Sequence, residues 1–193
     1  MNTNTSAASL PGSVRDHRAA TIRLVGFDVD GTLTDGRIII GNQGEMAKFF
    51  SVRDGLGLRL LMDAGITVAI ITARRSEIVT QRCAELRIDH VLQAVPDKAL
   101  ALTELAGQLG IPMEQTAFMG DDLPDLPAMQ CAGMAACVAD AADEVREYAD
   151  WVAAEPGGQG AARSFAQYLL KSRRGWTAAI ERFTRAPTGA GQA

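Results

Sequence analysis

Residues 22–34 read IRLVGFDVDGTLT, an apolar run from Ile22 to Val29 that breaks at Asp30-Gly31. A run this apolar, closed by a turn pair, is a buried strand that ends in a loop. Asp28 is the exception within it, because a carboxylate at a buried strand end is costly without a partner. The same rhythm continues outward. ITVAII (66–71), Val91-Leu92, Thr116 to Met119, Ala135 to Val138 and Trp151-Val152 read as further strands. Between them, helical spacing covers Asp54 to Ala64, Ser76 to Leu86, Asp97 to Leu109, Leu123 to Cys131, Ala141 to Tyr148 and Ala161 to about Lys171. Ser76 suits a helix N-cap, and Gly110 with Pro112 marks a helix stop. Arg37 to Ile40 and Met46 to Phe50 flank the turn-rich 41–44 and form a β-hairpin. Strands alternating with helices, several apolar throughout, mean an α/β fold with a parallel sheet covered on both faces.

One domain is expected over residues 21–172. Residues 1–20 read as a flexible leader, 157–160 (GGQG) as a flexible joint, and 173–193 as a partly disordered C-terminal extension. The 193 residues are ample for a sizeable core, and 47% hydrophobic with 22% charged residues is ordinary for a globular protein. A net charge of −4 argues against a general nucleic-acid or membrane-surface binder. No apolar run approaches the roughly 18–20 residues of a membrane span. Cys83, Cys131 and Cys137 form no CxxC pair, and they read as buried thiols in a reducing compartment, with the cytoplasm as the default.

In open α/β sheets the working groups stand just beyond the C-terminal strand ends. The first strand delivers Asp28 and Asp30 there, the second Thr72, a helix start Lys98, and the fourth strand Asp121, Asp122 and Asp125. Clustered carboxylates repel one another, so an oxygen-preferring divalent cation, Mg²⁺, is the natural resolution. A cation with an ammonium, a hydroxyl and loop amides is what phosphoryl transfer needs. Each residue alone has a plainer reading: Asp35-Gly36 as a turn, Thr72 as a cap, Lys98 as a solvated charge, Asp122 and Asp125 as the opening of a helix. The ordered set is what points to chemistry. An EF-hand from Asp28 fails because Leu33 and Ile39 stand where Gly and Glu are required. There is no GxxxxGK[ST] loop and no GxSxG elbow.

Asp28-Val29-Asp30-Gly31-Thr32-Leu33-Thr34, Thr72, Lys98 and Gly120-Asp121-Asp122-Leu123-Pro124-Asp125 resemble, in order, the four motifs of the haloacid-dehalogenase-like (HAD) phosphatases. Within that family the stretches GRIIIGNQGEMAKFFSVRDGLGLRLL, ITARRSEIV, GDDLPDLPAM and GGQGAAR are similar to the octulosonate 8-phosphate phosphatase branch, over about Ile22 to Leu170. The resemblance implies a Rossmann-like HAD fold, with Asp28 as nucleophile and Asp30 as acid and base. It implies Mg²⁺ held by Asp28, the Asp30 carbonyl and Asp121, and phosphate bound by Thr72 and Lys98. Asp122 and Asp125 would support these groups from behind. For a sugar-acid phosphate it implies binding by Asp30, Ser51, Val52, Arg53, Asp54, Gly55, Arg59, Arg74, Arg82, Lys98 and Arg163, arginine being suited to carboxylates. Ala73 and Ser164 depart from the family pattern.

Only a hairpin, a helix and a strand separate Asp28 from Thr72, and one helix and one strand separate Thr72 from Lys98, so no cap domain is inserted. The resemblance implies a homotetramer in which the hairpin flap and GGQGAAR tail close neighbouring sites. The implied reaction is hydrolysis of 3-deoxy-D-manno-octulosonate 8-phosphate in lipopolysaccharide precursor synthesis. The rival readings are a phosphatase for a nonulosonate 9-phosphate, a catalytically silent binding or assembly subunit, and a nucleic-acid end phosphatase. The acidic balance opposes the last.

Overall fold

The computed structural model describes residues 14–184. Four strands form the middle of a six-stranded sheet: β1 (Leu24–Phe27), β4 (Thr67–Ile71), β6 (Thr116–Gly120) and β7 (Met134–Cys137). β5 (His90–Leu92) and β8 (Trp151–Val152) are its edges. The order is β5-β4-β1-β6-β7-β8 with every pairing parallel. The four middle strands are buried almost throughout, as strands covered on both faces must be. Gly26 in β1 makes room for its neighbour: a Cβ there would stand 2.8 Å from the Phe118 ring.

After β5 the chain returns past β1 to place β6 on its other side. The C-terminal ends of β1, β4 and β6 are therefore adjacent at this reversal, where such sheets form their crevice. One helical layer contains α2 (Val52–Asp63), α3 (Glu77–Leu86) and α7 (Ala161–Ser172). The opposite layer contains α4 (Lys98–Gln108) and α5 (Leu126–Cys131), with α6 (Asp143–Tyr148) beside β7. Ser76 caps α3 through the Val79 amide, as its sequence position implies. The expected helix from Leu123 divides into a 3₁₀ turn, Leu123–Asp125, followed by α5, because Pro127 lacks the amide that a continuous helix would bond to the Leu123 carbonyl. The expected hairpin is present as β2 (Ile39–Gly41) and β3 (Gly44–Ala47).

Two expectations are corrected, for part of the leader and for the glycine joint. The latter part of the supposed leader is a helix, α1 (Val14–Thr21), on which Ala19 is fully buried and Asp16 accepts a 3.0 Å hydrogen bond from the Tyr168 hydroxyl. Its polar sequence carries little apolar stripe, so tertiary contacts with α7 supply what periodicity does not. The extension continues as α8 (Trp176–Thr184), with the Arg163 guanidinium 5.2 Å above the Trp176 ring. Residues 1–13 and 185–193, also assigned to the two ends, lie outside the described residues. The supposed joint at 157–160 is pinned: the Gly157 amide donates to Asp140, that of Gly158 to the Thr32 carbonyl, and that of Gly160 to Asp54. Among the described residues no helix is long and apolar enough to cross a membrane.

Cys83 and Cys137 are buried free thiols, and burial pushes each up to about 11. The folded state keeps these protons to higher pH than the unfolded chain does. Their stabilisation is thus complete below pH 9 and lost as pH rises toward 11, on the order of 2 kcal/mol per thiol. Thermal melts between pH 8 and 11 should fall along this range, and the fall should be smaller in the Cys83→Ala/Cys137→Ala variant.

Candidate active site

The turn after β1 is built to present Asp28. The amides of Thr32, Leu33 and Thr34 all point at the Val29 carbonyl, at 3.3, 2.9 and 3.0 Å. The chain reverses at Gly31, whose φ of 97° is favourable only for glycine. A Cβ there would also lie 2.1 Å from an Asp121 oxygen, so the turn and the end of β6 are in direct apposition. The Gly158 backbone backs the turn from outside, and a Cβ at Gly157 would strike the Gly31 carbonyl at 1.7 Å.

Lys98 rises from the first residue of α4, whose N-cap is Asp97. Its ammonium donates to Asp28 Oδ1 and Asp125 Oδ1, at 2.6 Å each. Asp125 Oδ2 accepts the Asp121 and Asp122 amides at 2.9 and 3.3 Å, and Thr32 Oγ1 donates to Asp121 Oδ1 at 2.9 Å. Burial and the nearby Asp125 charge hold the Asp28 carboxyl well above the usual range, against the pull of Lys98. Asp121 is raised by burial and by the charges of Asp28 and Asp125. Burial would depress the Lys98 ammonium, but its two carboxylate partners lift it above its ordinary value.

These groups line a cleft of about 170 Å³ formed by Asp28, Asp30, Thr72, Ala73, Arg74, Lys98, Asp121, Asp122, Pro124 and Asp125. Thr72 stands at the end of β4, its hydroxyl accepting the Arg74 amide at 3.3 Å. Asp30 faces two cations: Lys48 ion-pairs with Oδ1, and Arg74 Nε lies 3.6 Å from Oδ2. The cleft can thus hold a cation at one end and an anion between Lys98, Thr72 and Arg74.

Residues 90–164 match the family model described as haloacid dehalogenase-like hydrolase. The chain is 44% identical over 168 residues to the 3-deoxy-D-manno-octulosonate 8-phosphate phosphatase KdsC of Salmonella typhi, covering 86% of this chain and 89% of that one. A crystal structure of the corresponding enzyme from Moraxella catarrhalis, in complex with magnesium ion, phosphate ion and KDO, is similar at TM-score 0.85. It shares 41% identity, over 88% of this chain and 97% of that one. The cobalt-bound form of the Haemophilus influenzae enzyme is similar at TM-score 0.83 and 38% identity, over 87% and 99%. The chain belongs to the HAD-like hydrolases, in the 3-deoxy-D-manno-octulosonate 8-phosphate phosphatase family.

For a HAD-like site, the structure assembles every expected catalytic group and only part of the expected substrate set. Asp28, Asp30, Thr72, Arg74, Lys98, Asp121, Asp122 and Asp125 share the cleft. Asp122 caps the following turn through the Leu123 amide, and Asp125 is the group that orients Lys98. Ser51 caps α2, Val52 is exposed, and Asp54 accepts the Gly160 and Arg163 amides at 3.0 and 2.9 Å, capping α7 from a neighbouring helix. Gly55 leaves room for the Arg82 guanidinium, and both line a small apolar cavity between α2 and α3. Arg59 donates to the Leu86 carbonyl at 3.0 Å, while Arg53 and Arg163 lie near the start of α7. Within one chain none of these eight lines the cleft. Sequence reasoning missed Lys48 and Glu45, since a lysine in a hairpin reads as an edge charge.

The donors suit a hard divalent cation. Oxygens of Asp28, Asp121 and Asp125 lie within 4.8 Å of one another. Asp125 is already engaged at both oxygens, whereas Lys98 and Thr32 take only Oδ1 of Asp28 and Asp121, and Asp121 Oδ2 lies against Gly31 in the turn after β1. Lys98→Met would leave Asp28 and Asp125 buried without their shared counterion. A loss of about 3–5 kcal/mol is expected by urea denaturation, and a loss below about 1 kcal/mol would mean that the three groups are not coupled as described.

Proposed function

We propose that this protein hydrolyses 3-deoxy-D-manno-octulosonate 8-phosphate to the free sugar acid and phosphate, with Mg²⁺ as cofactor. The observation that carries the reading is the convergence of Asp28, Asp30, Lys98 and Asp121 in one cleft, in a chain 44% identical to KdsC over most of its length. Asp28 attacks phosphorus, the bond to the sugar oxygen breaks, and Asp30 gives that oxygen its proton. Water then attacks the phosphoaspartyl group, Asp30 takes a proton from it, and phosphate leaves Asp28. Lys98 and Thr72 hold the phosphoryl oxygens. Bound Mg²⁺, held by Asp28, the Asp30 carbonyl and Asp121, supplies charge neutralisation for the phosphoryl group.

Arg74, half exposed at the cleft and close to Asp30, is the residue we assign to the sugar acid within one chain. Ser51, Val52, Arg53, Arg59, Arg82 and Arg163 serve in this reading at sites shared between subunits of a homotetramer, while the buried Asp54 and Gly55 support them from within the chain. Support for the tetramer is the apolar exposure of the hairpin and the α2 start, where Ile40, Met46 and Val52 are 72%, 66% and 79% exposed. Large apolar side chains exposed together on one segment suit burial against another subunit. A cytoplasmic location fits the three free thiols.

Phosphate release from the octulosonate ester should require Mg²⁺, stop with chelator and vanish in Asp28→Asn. Faster release from a nonulosonate 9-phosphate would move the assignment to that substrate, and silence across a panel of sugar phosphates would favour a binding subunit. Light scattering should give about four times the 20.5 kDa chain mass, and Ile40→Lys/Met46→Glu should shift the population to smaller species.

A further inference from the structure

Lys48 follows strand β3 on a hairpin that is otherwise largely exposed, yet its side chain is 0% exposed. A buried ammonium persists only where carboxylates meet it. Two do so here: Asp30 through Oδ1, and Glu45 through Oε1 at 3.0 Å. The other Glu45 oxygen accepts the Ser76 hydroxyl, whose oxygen in turn caps α3 at the Val79 amide, and the Ser76 amide donates to Gln93 at 2.6 Å. Lys48 therefore sits in a bracket anchored to the start of α3 and ending on Asp30. It does not line the cleft, where Lys98 already faces the phosphoryl position.

We propose that Lys48 is a positioning residue for Asp30, an inference that rests on the phosphatase reading. By holding Oδ1, Lys48 stops the carboxyl from rotating and leaves Oδ2 as the oxygen that carries the proton. Among the described residues the only group ion-paired with Oδ2 is Arg74, whose Nε at 3.6 Å is beyond hydrogen-bonding distance. Proton delivery to a leaving oxygen depends on such alignment. As the P–O bond breaks, the electron pair stays on the sugar oxygen, and the Oδ2 proton moves onto it. The hairpin thereby contributes to chemistry through Lys48.

The test compares kcat/KM for 3-deoxy-D-manno-octulosonate 8-phosphate and p-nitrophenyl phosphate, with Mg²⁺, in wild type, Lys48→Met and Lys48→Arg. This parameter reports only steps through transfer to Asp28, and p-nitrophenolate leaves without a proton. Lys48→Met should lose about 10²-fold on the sugar ester and only a few fold on the aryl ester. Lys48→Arg should recover most of the difference. Equal losses on both esters, or no loss, would overturn the proposal and make Lys48 a structural brace or a bystander. If Lys48→Met does not fold, Lys48→Gln is judged by the same comparison. Wild-type silence on both esters would overturn the phosphatase reading and this inference with it, whereas wild-type activity with equal losses overturns this inference alone.

Discussion

The Lys98 ammonium lies between Asp28 and Asp125 at 2.6 Å from each, and on it depends whether three carboxylates, two of them buried, can share one floor. Asp28, Asp121 and Asp125 sit close enough to raise two of their own proton affinities, through burial and mutual repulsion. Lys98 relieves part of that repulsion and ties the end of β1 to the turn after β6 and to the start of α4. Asp125 does the rest by accepting two backbone amides, so its charge is spent on structure. What remains is an anionic pair, Asp28 and Asp121, suited to a hard cation, beside a cation suited to phosphate. The arrangement separates nucleophile and anion-binding group by a single hydrogen bond without letting either be solvated.

Around this floor, close backbone approach replaces side-chain packing. Gly31 touches Asp121, Gly157 and Gly158 press against the turn that carries Asp28 and Asp30, and Asp54 caps α7 across the layer. Interior positions this tight do not yield gradually, so the turn is held in one conformation. That is a useful property for a residue expected to attack along a defined line. The late glycine segment thus acts as a buttress, and α7 carries its register back to α2 and the sheet.

The hairpin has two parts with different roles. Its strands expose Ile40 and Met46, whereas Lys48, just past β3, is buried against Asp30 and Glu45. These exposed apolar side chains suit contact with another subunit. The buried ammonium fixes the hairpin to the site below it.

The fold was legible in IRLVGFDVDGTLT and the apolar runs that follow, because strands buried on both faces leave an unbroken apolar signal. Asp28, Asp30, Thr72, Lys98 and Asp121 were legible too, since strand ends place them on one rim whatever the details of packing. Less was carried by local pattern elsewhere. α1 is too polar to announce itself, the glycines at 157–160 read as slack although Gly157 and Gly158 lie tightly against the backbone at Gly31 and Thr34, and Lys48 reads as a solvated charge. The division between Asp122 and Asp125 was also invisible, as both are carboxylates in one short loop and only the turn geometry sends Asp125 inward. Sequence by itself determined the elements, their order and the chemistry at the strand ends. Tertiary structure decided which oxygen meets which cation, because those contacts join residues far apart in the chain, and burial then sets their strength.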